Sequence, residues 1–218
     1  MESVLNLLSV FILLSSFVLI AGKRIKSYIN AFRLQSLLVA CATAVLGIQG
    51  ITECEGIDLL VIFLVVLVLK VIYIPRLLEK TYASVEYSTD KDFYPNIPIQ
   101  ILICCTLVVF ANFALSSTQI FASSGVSLYM VEMLSVVLMG LFFMITRKKA
   151  IGQIVGFLTI ENGLFSIALF LSRGMPVIID MGIFVDLITG VLIMGILVFK
   201  INEKFDSINT NKLNKLRG

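Results

Sequence analysis

The sequence predicts an all-α integral membrane protein of about seven transmembrane helices. Three observations lead there. Hydrophobic residues make up 59% of the 218 positions and charged residues 14%, whereas soluble domains carry roughly a quarter charged residues. Apolar runs long enough to cross a membrane recur along the chain. Lysine and arginine gather in every second connection between those runs, the pattern that fixes orientation in a bilayer. A water-soluble fold of this length has too small an interior for so much apolar surface, so lipid must cover it.

The runs are Val4–Gly22, Ala31–Ile51, Ile57–Leu78, Ile97–Ser116, Ser123–Thr146, Ala150–Ser172 and Pro176–Phe199. Each approaches the twenty or so residues a helix needs to span hydrocarbon. The first reads as a retained helix and not a signal peptide, because Glu2 precedes it and its basic cluster follows it. Lys23, Arg24, Lys26 and Arg33 lie between the first two spans, and Arg76, Lys80 and Lys91 follow the third. Arg147, Lys148 and Lys149 separate the fifth and sixth, and Lys200, Lys204, Lys212, Lys215 and Arg217 end the chain. The opposite side carries Arg173 with Glu53, Glu55, Asp58 and Asp180. That asymmetry puts the N-terminus outside and the C-terminus in the cytoplasm. The long polar connection Glu79–Pro98 holds Tyr82, Tyr87, Phe93 and Tyr94. These suit either a solvated loop or a segment lying at the interface or against a cytoplasmic partner.

Spans one to three and five to seven read as two copies of one unit. Each begins with an outside-to-inside helix and a basic turn, Lys23–Lys26 in one and Arg147–Lys149 in the other. Each ends in a basic–acidic–basic stretch, Arg76 to Glu79-Lys80 against Lys200 to Glu203-Lys204. The fourth span restores the orientation, so the repeat is parallel. Residues 1–96 then form an N-terminal three-helix unit with its cytoplasmic loop, 97–122 a linking helix, and 123–218 a second three-helix unit with a cytoplasmic tail.

Several chemistries are excluded by what the chain lacks. There is no histidine, and Cys41, Cys54, Cys104 and Cys105 show no CxxC spacing, so haem, zinc and iron–sulfur ligation are not expected. No phosphate-binding glycine loop or nucleophile elbow is present. No catalytic residue, metal site or cofactor is expected in the chain itself, and no nucleic-acid partner.

The informative residues are ionisable groups inside the apolar runs, where a charge costs roughly 2.5–3.5 kcal/mol on insertion scales. They are Lys70, Glu132, Glu161 and Asp186. Glu161 and Asp186 fall near the midplane on consecutive spans. Burial disfavours the charged form of such groups, so they can exchange protons near neutral pH. Lys70 lies in the middle third of its span, and Glu132 nearer the outer surface, where water can reach it. All four are candidates for ion translocation; the architectural alternative is that they bind helices together. Gly182, Asp186 and Gly190 recur every four residues, a close-packing seam. Gly152, Gly156 and Gly163 form a comparable stripe with Thr159, and Glu161 lies off it, facing a different neighbour.

The stretch Leu134–Ser172, with its Arg147-Lys148-Lys149 turn and Gly156, Glu161 and Asn162, resembles the K subunit of respiratory complex I. It is also similar to the C subunit of Mrp-type cation/proton antiporters. Glu161 matches the mid-membrane glutamate of those proteins, and Asp186 an acid of their third helix. Over nearly the whole chain the resemblance is to the hydrogenase 4 component E family of formate hydrogenlyase-type hydrogenases. Gln35-Ser36, Lys70, Pro75, Glu161-Asn162-Gly163, Asp186 and the tail Lys215-Leu216-Arg217-Gly218 carry it. The first copy departs from the complex I pattern, with Gln35 in place of the acid and Lys70 in the third span.

The resemblance implies a non-catalytic subunit of a proton- or sodium-translocating complex in a prokaryotic plasma membrane. Its partners would be antiporter-like and anchor subunits and a hydrogenase-type redox module, which would hold the nickel–iron and iron–sulfur centres. The alternatives are a purely structural membrane-arm subunit, a subunit of an Mrp-type antiporter, or a stand-alone transporter.

Overall fold

A computed structural model of the chain describes residues 2–49, 56–84, 96–116, 127–147, 149–172 and Gly190. Among the described residues every element is helical. They are α1 (Glu2–Ala21), α2 (Ile25–Gln49), α3 (Gly56–Val66), a π-helical stretch (Leu67–Tyr73), α4 (Ile74–Ser84), α5 (Ile97–Ser116), α6 (Ser127–Thr146) and α7 (Ala150–Ser172). The α3–π–α4 run is one continuous rod, and among the described residues six helices are long and apolar enough to cross a membrane. The chain is a multi-pass membrane protein. The seventh expected span, Pro176–Phe199, lies outside the described residues.

The boundaries depart from expectation where helix continues past the hydrocarbon. Helix α2 starts at Ile25, so Lys26 and Arg33 stand on it and only residues 22–24 form the turn. Likewise α4 runs to Ser84, so Glu79 and Lys80 are helical and not part of a polar connection. The α4 extension meets α2 in an Arg33–Glu79 ion pair at 3.1 Å. A hydropathy window ends a span where charges begin, but a backbone that satisfies its own hydrogen bonds has no reason to stop there.

Helix α2 is the hub: α1, α3, the π stretch, α4 and α7 all pack on it, while α6 packs on α7, α1 and α5. The glycine stripe of α7 does what its spacing predicts. A Cβ at Gly156 would meet Met144 backbone at 2.9 Å, and one at Gly163 would meet Val137 Cγ2 at 2.7 Å. Gly140 of α6 answers from the other side, where a Cβ would meet the Ile160 nitrogen at 2.9 Å. With lipid as apolar as leucine, contact of this kind holds two helices together better than hydrophobicity does. Helix α5 is the least covered, its Leu102, Val109, Phe110 and Phe113 all exposed.

The interior has three layers. Leu19, Tyr28, Phe32, Leu78, Phe143 and Leu158 fill the layer nearest the two short turns. Ile12, Val39, Val66, Met133, Val136 and Phe165 fill the layer toward the opposite end. Between them lies a polar layer.

Arg147 of the basic turn lies in the interior. Its guanidinium donates to the Ile20 and Gly22 carbonyls at 3.2 and 3.1 Å. These close the C-terminal end of α1, where carbonyls lack helical partners and a cation is favoured. The guanidinium also lies over the Phe143 ring at 4.3 Å and the Tyr28 ring at 5.4 Å. Gly152 leaves room for its stem, since a Cβ there would meet Arg147 Cβ at 2.8 Å. Arg147→Lys keeps the charge but loses the fork and the stacking. It is expected to cost about 1.5–3 kcal/mol, read as a lower melting temperature of the purified protein in detergent; an unchanged melting temperature contradicts this role.

Candidate functional site

The polar layer is built from four segments. Its centre is an ion pair, Lys70 Nζ to Glu161 Oε1 at 3.1 Å, with both side chains almost wholly buried, at 1% and 3% exposed. The same ammonium donates to Asn162 Oδ1 at 3.2 Å and lies 5.6 Å from the Phe165 ring centre. Asn162 Nδ2 donates to Ser36 Oγ at 3.1 Å and reaches Gln35 Oε1 at 3.5 Å. Gln35 Nε2 donates to Ser16 Oγ at 2.8 Å, whose hydroxyl is 3.3 Å from the Ile12 carbonyl. One polar chain thus runs from α1 through α2 and α7 to the π stretch.

The backbone that presents Lys70 has an identifiable cause. Pro75 has no N–H and its ring collides with the carbonyl four residues earlier, which a straight α-helix does not tolerate. Here the preceding seven residues widen into π-helix, and the Ile74 N–H bonds to the Leu69 carbonyl, five residues back. Lys70 and Val71 are the buried residues of that stretch. Such π segments are often found at functional sites.

Glu161 faces away from the glycine stripe that grips α6, as its spacing predicts, and the neighbour it faces is Lys70. A charge pair with shared hydrogen-bonding groups in a low-dielectric layer can do one of two things. It can hold α7 to the π stretch, or it can pass a proton between an amine and a carboxyl group whose charged forms stabilise each other.

Glu132 lies apart on α6. It is buried, where water access was expected, because α1 packs on α6. Asp186 and Gly182 lie outside the described residues. Among the described residues no three acidic or cysteine side chains lie close enough to hold a metal ion. Cys41, Cys104 and Cys105 are free. Two members of the polar layer were not singled out from the sequence. Ser16 is one of many serines in an apolar helix, and only its Gln35 partner distinguishes it. The π stretch was signalled by Pro75 alone.

Comparison with known proteins reaches the same ground. The chain is 23% identical to hydrogenase-4 component E of Escherichia coli over 99% of its own length and 98% of that protein's. The hydrogenase-4 component E of Shigella flexneri matches to the same extent. An uncharacterized protein of Mycobacterium tuberculosis is 29% identical over 82% of this chain and 81% of its own. No family model matches the chain. No solved structure matches it. The resemblance to the hydrogenase 4 component E family read from Gln35-Ser36, Lys70, Pro75 and Glu161-Asn162-Gly163 therefore extends over the full chain. The structure places Gln35, Ser36, Lys70, Glu161 and Asn162, up to 127 positions apart in sequence (162 minus 35), in one polar layer.

Proposed function

We propose that this chain is a non-catalytic membrane subunit of a hydrogenase-type energy-converting complex, and that the Lys70–Glu161 pair takes part in moving protons or sodium ions across the membrane. The observation that carries this reading is the buried ion pair itself, sealed between two apolar layers and tied to Asn162, Ser36 and Gln35. Charges are costly at that depth. Adhesion of α7 to α6 is already supplied by the glycine contacts. A pair whose proton can sit on either partner is what an ion-coupling step needs. Asp186, the acid that the resemblance pairs with Glu161, is the next candidate on the path.

The partners are then antiporter-like and anchor subunits of the membrane arm. The redox module beside them holds the nickel–iron and iron–sulfur centres. In a prokaryotic plasma membrane the end holding Arg24, Arg33, Arg76, Lys80 and Lys149 faces the cytoplasm, by the positive-inside rule. The packing of α1 on α6 and of α2 on α7 is what two parallel three-helix units side by side produce, in support of the division at 1–96, 97–122 and 123–218.

The test uses the intact complex in membrane vesicles. Glu161→Gln keeps size and hydrogen-bonding capacity while removing the charge. It is expected to abolish most ion translocation per electron while redox turnover continues. An ion gradient equal to wild type at matched assembly assigns the pair to architecture and leaves a structural subunit.

A further inference from the structure

Buried hydroxyls lie on both sides of the polar layer, but among the described residues a further buried carboxylate lies on one side only. In the layer nearest the short turns, the buried polar residues are Thr159, Gln100, Thr146 and Arg147, the last three close to helix ends. In the opposite layer Ser9, Thr43, Ser135 and Ser166 are essentially fully buried, one each from α1, α2, α6 and α7. Glu132 is buried at the same level. The two sides of the ion pair are therefore chemically unlike.

The helix register fixes the depth. Gly156 against Met144, Gly140 against Ile160 and Gly163 against Val137 pair residues of α6 and α7 whose numbers sum to 300. Glu161 is thus level with residue 139, and Glu132 lies about seven residues, or about 10 Å, further toward the α6 N-terminus. Ser166 is one turn beyond Asn162 and donates to its carbonyl at 2.8 Å. Thr43 is two turns beyond Ser36, and Ser9 two turns before Ser16, each on the same face as its partner. The hydroxyls therefore bridge the levels between the acid and the polar layer.

Glu132 itself is poised. Its Oε2 has no hydrogen-bond partner among the described residues, and the buried Ser9 hydroxyl donates to the Asn6 carbonyl at 2.8 Å. Thr43, Ser135 and Ser166 are likewise held by their own helices, at 3.0, 2.6 and 2.8 Å. Each has to swing off its carbonyl before it can bond across the interior.

We propose that Glu132 is the port through which protons pass between the Lys70–Glu161 pair and the membrane face at the α1 and α6 N-termini. This rests on the ion-coupling reading of the pair, and it adds the side of access and the ion. A proton arriving from that face converts the Glu132 carboxylate to the acid. Passed along the hydroxyls, each accepting one proton and giving up another, it protonates the far group and leaves Glu132 a carboxylate again. Hydroxyls tied to separate helices and one carboxylate make a relay for protons. They do not make the converging oxygen cage that a metal cation requires.

The experiment compares the intact complex carrying Glu132→Gln, Glu161→Gln or Ser166→Ala in vesicles, in sodium-free buffer, at matched assembly and matched redox turnover. Glu132→Gln is expected to lower proton translocation per electron at least tenfold, and Ser166→Ala severalfold with the acid untouched. Should Glu132→Gln assemble poorly, Ser166→Ala decides alone. Wild-type translocation in Glu132→Gln or, where that variant fails, in Ser166→Ala, alongside loss in Glu161→Gln, overturns the port and leaves the pair's role standing. Wild-type translocation in all three overturns both. A wild-type gradient that forms only when sodium is added overturns the proton assignment.

Discussion

Replacing Lys70 with methionine is expected to destabilise the protein by about 3–5 kcal/mol, the usual cost of breaking a buried ion pair by removing one partner. Methionine fills nearly the same volume, so packing against Phe165 survives. What is lost is the counter-charge to Glu161 and the donor to Asn162. The carboxyl group then has to take up a proton or draw in water. The double variant Lys70→Met/Glu161→Gln is expected to recover most of the loss, because neither buried group is then charged. A double-mutant cycle on the melting temperature in detergent checks this. Additive single effects mean that the two groups do not interact in the membrane and that the polar layer is not built around them. A stable double variant that fails to translocate ions would separate the pair's function from its contribution to stability.

Gly156→Leu is expected to prevent α6 and α7 from pairing, with loss of folded protein from the membrane. A Cβ at that position meets three Met144 atoms at 2.9 Å, two of them backbone. No rotamer change relieves a backbone contact, so the helices must separate. Overpacking by a methylene or two costs about 1–3 kcal/mol in well-packed interiors, and the leucine side chain adds four carbons. Gly47 is the internal control, because its nearest atoms are leucine side-chain carbons at 3.2–3.4 Å. Gly47→Ala should be tolerated and Gly156→Ala should not, as read by the yield of monodisperse protein after extraction. Equal yields for the two alanine variants contradict the register on which the depth of Glu161 and Glu132 rests.

The amino-acid sequence alone determined the solvent, the six spans found among the described residues, and the identity of the costly charges. Hydropathy and helical period are local, and the bilayer makes them decisive, since a chain in lipid has few ways to satisfy its backbone. The glycine stripe of α7 was legible for the same reason: four-residue spacing places Gly152 and Gly156 on one face whatever stands opposite. Glu161 could be placed off that stripe, yet nothing local named the residue it meets. Lys70 lies 91 positions earlier (161 minus 70), and only the packing of α7 and the π stretch against α2 brings the two within 3.1 Å. The tertiary structure alone decided that Pro75 is absorbed by a π-helix, that Arg147 closes α1 instead of meeting solvent, and that Glu132 is covered by α1. The last two depend on contact between helices far apart in sequence. A span is specified by its own residues, whereas a buried charge is specified by whatever the fold sets beside it.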